Sequence, residues 1–253
     1  MLRRVIIAFL IVVCSVALPA HAADSIAKVV AIVGGPTAVG PGGSRKLAVG
    51  DDVFEKDKIS VTSGNAQILF NDGTKLVVGP GSSLEINKYL MRGDSSAAQD
   101  FSIKALRGTF RFITGKSPKN AYNIQTANAT IGIRGTGFDF WVKDATGVAV
   151  LQGKVRLCGK QNSKSCVDLT PTCELGTTEN ASARKFTGEL QGQKLRKNLP
   201  FILNQKSLVK SFRLDVTGCR TALSYTPPEF GNGKGNNFDN PRASRPQTPL
   251  GKN

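Results

Sequence analysis

Asn65-Ala66-Gln67-Ile68-Leu69-Phe70, Asn71-Asp72-Gly73 and Thr74-Lys75-Leu76-Val77-Val78 follow one another without a break. The flanking runs are rich in β-formers, and Asp-Gly between them tolerates the positive φ of a tight hairpin turn, so the stretch reads as strand, turn, strand. Gly79-Pro80-Gly81 then stops the second strand. Working outward, the same grammar recurs from Lys28 to about Cys158. Short apolar segments are predicted as strands at Leu84 to Lys88, Phe101 to Leu106, Thr109 to Ile113, Tyr122 to Thr126, Thr130 to Ile133, Phe138 to Val142, Val148 to Leu151 and Val155 to Leu157. No helical period interrupts them. The expected fold is all-β: a curved, glycine-rich β-sandwich or a short β-solenoid-like coil of strands.

Two passages echo each other: Arg107-Gly108-Thr109-Phe110-Arg111-Phe112 and Arg134-Gly135-Thr136-Gly137-Phe138-Asp139-Phe140. The echo predicts similar β layers stacked together. Alternation places Phe138 and Phe140 on one face and Asp139 and Trp141 on the other, so one of these faces is expected in the core.

The first 22 residues read as a cleavable signal peptide. Arg3 and Arg4 supply a charged start, Val5 to Leu18 an apolar run, and Ala20-His21-Ala22 a processing site. The run falls short of the roughly 20 apolar residues of a spanning helix, and no second one follows, so the mature chain is expected to carry no transmembrane segment. Loss of Arg3 and Arg4 from the formal charge of +16 leaves +14. In an exported protein that charge points away from nucleic acid and toward an acidic protein face, cell-wall polymer or lipopolysaccharide.

The only histidine, His21, leaves with the signal peptide. That loss removes Ser-His-Asp and Cys-His catalysis and His-bearing zinc sites from the inventory. Carboxylate glycosidase chemistry survives on paper through Asp51, Asp52, Glu85 and Asp139, but no spacing selects a pair. The glycines at 132, 135 and 137 and at 231, 233 and 235 lack the strand-to-helix setting of a dinucleotide loop. The expectation is a non-enzyme without cofactor or metal. Arg92-Gly93-Asp94 matches an adhesion tripeptide that a plain glycine loop also explains.

Cys158, Cys166, Cys173 and Cys219 remain after cleavage, an even set for an oxidising compartment. Four cysteines allow three pairings, of which Cys158 with Cys166 and Cys173 with Cys219 is favoured. Residues 181–220 hold nine basic side chains against two acidic. Arg184, Lys185, Lys194, Arg196, Lys197, Lys206, Lys210 and Arg213 are the candidate polyanion contacts. One short amphipathic helix is expected from Leu199 to Phe212, with Pro200 at its start. From Thr226 the chain is poor in apolar residues and is read as a disordered tail. The expected organisation is therefore a signal peptide (1–22), a β domain (23–158), a disulfide-linked basic extension of mixed structure (159–225) and a tail (226–253).

Over roughly residues 28–157 the sequence resembles the FecR domain, first known from the periplasmic part of the ferric-citrate regulator. The resemblance is carried by Leu47-Ala48-Val49-Gly50-Asp51, Lys58-Ile59-Ser60-Val61, Phe70-Asn71-Asp72-Gly73-Thr74, Pro80-Gly81-Ser82-Ser83-Leu84, Leu106-Arg107-Gly108 and Ile124-Gln125-Thr126. It continues through Ala129 to Phe138 and Val150-Leu151-Gln152-Gly153-Lys154-Val155. Gly50, Asp51, Asp72, Gly73, Arg134, Gly135, Thr136, Phe138 and Gly153 are the motif residues that it marks. Gly137 stands where the pattern usually has a carboxylate or similar residue.

In signalling members this domain receives a message from an outer-membrane transporter and governs a sigma factor through a cytoplasmic segment. This chain has neither that segment nor a membrane helix after residue 22, so the resemblance implies a stand-alone periplasmic interaction or scaffold module with an envelope protein partner. Binding of cell wall or another anionic polysaccharide is the alternative. Arg134 could serve an acidic partner or, as a structural support, pair with a carboxylate at the core edge. Trp141 could stack on a sugar if exposed or pack inside.

Overall fold

The computed structural model describes residues 24–224, apart from residues 92, 94, 95, 163, 172, 180 and 181. The expected signal peptide, the tail, the glycines at 231–235, and Arg92 and Asp94 of the adhesion tripeptide lie outside the described residues.

Seventeen strands form one hydrogen-bonded sheet that folds over on itself. In chain order they are β1 (Ser25–Val33), β2 (Thr37–Gly40), β3 (Gly43–Lys46), β4 (Asp52–Phe54), β5 (Lys58–Val61), β6 (Asn65–Phe70), β7 (Lys75–Val78), β8 (Ser82–Met91) and β9 (Ala98–Ile113). There follow β10 (Tyr122–Gln125), β11 (Ala129–Ile133), β12 (Gly137–Val142), β13 (Thr146–Gln152), β14 (Val155–Gly159), β15 (Cys166–Leu169), β16 (Leu175–Glu179) and β17 (Ser182–Phe186). Pairings divide them into two layers. Sheet I runs β4-β1-β6-β7-β9-β12-β13-β16-β17, and sheet II runs β3-β2-β5-β8-β9-β10-β11-β14-β15.

Strand β9 belongs to both layers. Residues 98–107 pair with β8, and residues 108–113 pair with β12. The sequence predicted two strands here, Phe101 to Leu106 and Thr109 to Ile113. The chain instead forms one sixteen-residue strand, because Gly108 turns it from sheet II into sheet I without ending it. Gly108 has φ +103°, and a Cβ there would sit 2.4 Å from the Ser82 Cα, so only glycine fits.

The two echoing passages pair directly. Phe138 opposes Phe112, Asp139 opposes Arg111, and Phe140 opposes Phe110. Between the layers lies one apolar core drawn from both sheets, including Phe70, Phe101, Phe110, Phe112, Phe138 and Phe140. Phe70 of sheet I meets Phe101 of sheet II at 4.6 Å between ring centroids, a tilted contact of the kind that aromatic pairs favour. The result is a two-layer β-sandwich.

Hydrogen bonding continues past residue 158: β15 pairs with β14, and β16 pairs with β13. After β17 come α1 (Gly188–Asn198), α2 (Pro200–Leu203) and α3 (Arg220–Leu223). The amphipathic helix expected from Leu199 to Phe212 is corrected on this point: only Pro200–Leu203 of that span is α-helical, and a short 3-10 turn follows at Lys210–Phe212. Between them the backbone is held by side chains instead. Gln67 Nε2 donates to the Ser207 carbonyl, and the Val209 N–H donates to Gln67 Oε1, both at 2.9 Å. Such contacts satisfy the groups that a helix would have paired internally.

Candidate functional site

Residues 188–223 cross the outer face of sheet I as a strap. Trp141, Ala149 and Leu175 of the sheet pack with Leu195, Leu199 and Ile202 of the strap, and Val77 packs with Phe201, Leu208 and Phe212. One face of β12 packs in the core as expected, through Phe138 and Phe140; the other is buried as well, with Trp141 under the strap, so all six of its residues are buried. The outer face of sheet II carries no such cover among the described residues. It presents polar side chains such as Lys104, Asn123, Thr130 and Arg156, all exposed or half-buried.

At the centre of the strap contact lies a fully buried ion pair. Arg111 Nε donates to Asp139 Oδ1 at 2.6 Å, and Nη2 donates to Oδ2 at 2.9 Å. The remaining guanidinium donors reach the strap: Nη2 to the Phe201 carbonyl at 3.2 Å, Nη1 to the Phe212 carbonyl at 3.4 Å, and Nη1 to Gln205 Oε1. Gln205 in turn accepts from the Leu214 N–H and donates to the Leu214 carbonyl. Full burial pushes the Asp139 carboxyl up from its ordinary value, while the charge and hydrogen bonds of Arg111 oppose the shift. Planar two-pronged pairing suits arginine at such a site.

The motif residues occupy turns and junctions. Gly50 has φ +95°, and Asp51 Oδ2 accepts from the Ala48 N–H at 2.8 Å. Asp72 is fully buried and ties four segments together. Its carboxylate accepts from the Thr74 N–H and hydroxyl, from the Ser117 hydroxyl at 2.5 Å and from the Tyr122 hydroxyl at 3.0 Å. Its own N–H donates to the Tyr89 hydroxyl at 2.8 Å. Burial, with the Asp72 charge adding to it, raises both tyrosine hydroxyls above their ordinary value. A Cβ at Gly153 would lie 1.9 Å from the Gly135 carbonyl oxygen, so this glycine lets the Arg134–Gly137 turn pack against it. Thr136 is locked there by reciprocal bonds with Thr114.

Arg134 is exposed. Its N–H donates to the Lys154 carbonyl, and among the described residues its side chain forms no ion pair. The expected supporting arginine is thus Arg111, which the sequence reading passed over. Its signal was there in the echo, where Arg111 stands opposite the Asp139 position. Trp141 is 4% exposed, and a Cβ at Gly147 would lie 2.0 Å from its ring; the indole is a packing group rather than a sugar platform.

The four glycosidase candidates are scattered. Asp52 is held by Lys28 at 2.7 Å and by Ser25, Asp51 caps a turn, Asp139 is sealed against Arg111, and Glu85 lies on sheet II opposite Lys104. The cysteines join as Cys158–Cys166 and Cys173–Cys219. The first pair bridges directly opposed residues of β14 and β15. The second fastens the strap to the segment before β16.

The eight basic candidates do not act as one set. Arg184 and Lys194 converge on Glu179, and Lys185 meets Glu174 at 2.9 Å. Arg213 donates to the carbonyls of Leu208 and Lys206. Lys206 and Lys210 are exposed farther along the strap. Arg196 and Lys197, at the end of α1, border a cleft of about 420 Å³, which also receives Arg107 from β9 and Lys143 from the β12–β13 turn. Pro80, Trp141, Val142 and Leu203 supply its apolar walls. A second cleft of about 330 Å³ shares Pro80 and Pro200 with it and reaches Val33. No helix of the described residues is long and apolar enough to cross a membrane.

No curated protein matches this chain. Two crystal structures of a "putative anti-sigma factor" from Parabacteroides distasonis ATCC 8503, at 2.50 and 1.65 Å resolution, are similar to it. Each is 20% identical with a TM-score of 0.40; the matches cover 54% and 55% of this chain and 62% and 64% of theirs. This chain thus spans less than two thirds of either. The sequence model of the family described as FecR protein matches residues 57–156, from the approach to β5 into β14.

Proposed function

We propose that this protein is a non-catalytic, periplasmic protein-interaction or scaffold module built on its FecR-like domain and exported by residues 1–22. The observation that carries the reading is the way charge and apolar surface are distributed. Arg184, Lys185 and Lys194 are paired within the protein, the first and last sharing Glu179 and the second meeting Glu174, so the basic extension offers no single continuous track for a polyanion. Apolar side chains are exposed beside the remaining cations instead: Val33 at 45%, Leu203 at 50% and Val209 at 37%. Interspersed apolar and charged groups of this kind suit a protein face. Two disulfides accord with an oxidising compartment.

The test is a crosslinked pull-down with residues 23–253 from periplasmic and envelope fractions, at low and high salt. Specific recovery of one envelope protein that persists at high salt is the expected result. Recovery of wall polymer or lipopolysaccharide alone, lost at high salt, would replace this reading with polyanion binding.

A further inference from the structure

We infer that the 420 Å³ cleft between sheet I and the α1–α2 junction is the site that receives an acidic, apolar-flanked peptide segment of the protein partner. The inference rests on the interaction-module reading above and locates the recognition.

Four cations from three parts of the fold meet at this cleft: Arg107, Lys143, Arg196 and Lys197. All four are exposed, and among the described residues none forms an ion pair. Lys143 donates to Asn198 Oδ1 at 3.1 Å and Arg196 to the Leu223 carbonyl at 2.6 Å, contacts with neutral acceptors that leave their charge in place. Basic residues in the last turn of α1 have an ordinary role against the helix dipole, which accounts for Arg196 and Lys197. It does not account for Arg107 and Lys143, which the bend of β9 and the β12–β13 turn bring to the same opening. No carboxylate lines the cleft, so four like charges share it, and an incoming anion relieves their mutual repulsion.

A second observation lies at the wall of the cleft. Thr109 lines it and is 7% exposed, yet among the described residues its hydroxyl has no hydrogen-bond partner. Buried hydroxyls are ordinarily paired, and rotation about χ1 of Thr109 would turn this one toward a ligand carbonyl or carboxylate. The apolar walls and Leu203, half exposed at the rim, favour side chains over a sugar chain. A glycan would want an open aromatic platform, and Trp141 has its ring against Gly147. The chemistry that fits is therefore carboxylates separated by apolar side chains.

Trp141 is the only tryptophan of the chain and lines the cleft, so its emission reports occupancy. The probe is an array of octapeptides in which glutamate or aspartate alternates with leucine, valine or phenylalanine, beside glutamine-substituted copies. The oxidised protein is applied to the array, and the best binder is then titrated in solution. The expected result is retention of the acidic peptides over their glutamine copies, with a saturable change in Trp141 emission. Lys143→Glu/Lys197→Glu should weaken binding at least about tenfold, as reversal of facing charges does, and Arg107→Glu/Arg196→Glu should act likewise. Lys116→Glu, in the loop after β9, should leave binding unchanged. Near-UV circular dichroism confirms that each variant is folded.

Equal retention of acidic and neutral peptides, or unchanged binding by both reversal pairs, overturns the assignment. Binding of dextran sulfate through the same four residues, with no peptide bound, overturns it in favour of a polymer. The reversal variants also enter the envelope pull-down. A partner retained by them overturns the cleft while leaving the interaction module standing, whereas a partner lost with them supports it.

Discussion

Removing the Asp139 carboxylate would leave the Arg111 guanidinium buried and charged under the strap, with no water to replace the lost partner. Asp139→Asn is expected to cost about 3–5 kcal/mol, the usual penalty for breaking a buried pair from one side. Arg111→Met/Asp139→Leu together should cost less than Asp139→Asn alone, since no orphaned charge remains. Urea denaturation of the oxidised protein measures both; equal costs would remove the ion pair from the account. At Gly108, alanine should destabilise by about 1–3 kcal/mol through backbone strain alone, with the contact to Ser82 adding to it. A wild-type midpoint for Gly108→Ala would show that β9 bends elsewhere. The Asp72-Gly73 turn was legible from the sequence, because Asp-Gly between two β-rich runs is a local signal. The choice between Arg111 and Arg134 was not. Both belong to similar passages, and what buries Arg111 is a strap that begins 77 residues later in the chain; no local pattern announces it.

Among the elements, the strap is the least legible and the most consequential. Helix α1 escaped notice because its apolar content is only Leu190 and Leu195, too little for a helical period to register. It is held by tertiary contact instead: Leu195 is fully buried, and Gly192 abuts α3, where a Cβ would lie 2.1 Å from the Ala222 carbonyl. The strands were read well because alternation and glycine turns are local signals. The Cys173–Cys219 bridge closes a loop of 46 residues, for which chain entropy gives about 4 kcal/mol. Cys173→Ser/Cys219→Ser should therefore raise hydrogen exchange in α1 and α3 well before β9 or β12. Uniform exchange across both would show that strap and sandwich open together.

The β16–β17–α1 junction should loosen in acid. Lys194 and then Arg184 hold the Glu179 carboxyl below its ordinary value of 4.5. A depressed folded value means that the contribution is present above the unfolded value and is lost as pH falls through the folded one. Exchange at β17 should thus rise as pH falls below 4.5 and through the depressed folded value. Glu179→Gln should remove the Glu179 part of that pH dependence, leaving that of the Glu174–Lys185 pair. Persistence of the full dependence in the variant would assign it to another carboxylate.

At the scale of the molecule, β9 joins two layers into one sheet, the aromatic core fills the space between them, and the strap seals one outer face. Among the described residues nothing covers the outer face of sheet II, and four cations without an ion pair, Arg107, Lys143, Arg196 and Lys197, meet where the strap reaches the bend of β9. The all-β class and the FecR resemblance were visible in the order of short motifs along the chain. The division of surfaces was not, since it depends on which face residues 188–223 cover. The most direct test of the interaction-module account places a photo-crosslinking amino acid at Leu203, beside the cleft, and separately at Lys104 on sheet II, in otherwise unaltered protein exposed to envelope extract at high salt. The account predicts one discrete protein adduct from Leu203 and none from Lys104; adducts from neither position, or only from Lys104, would contradict it.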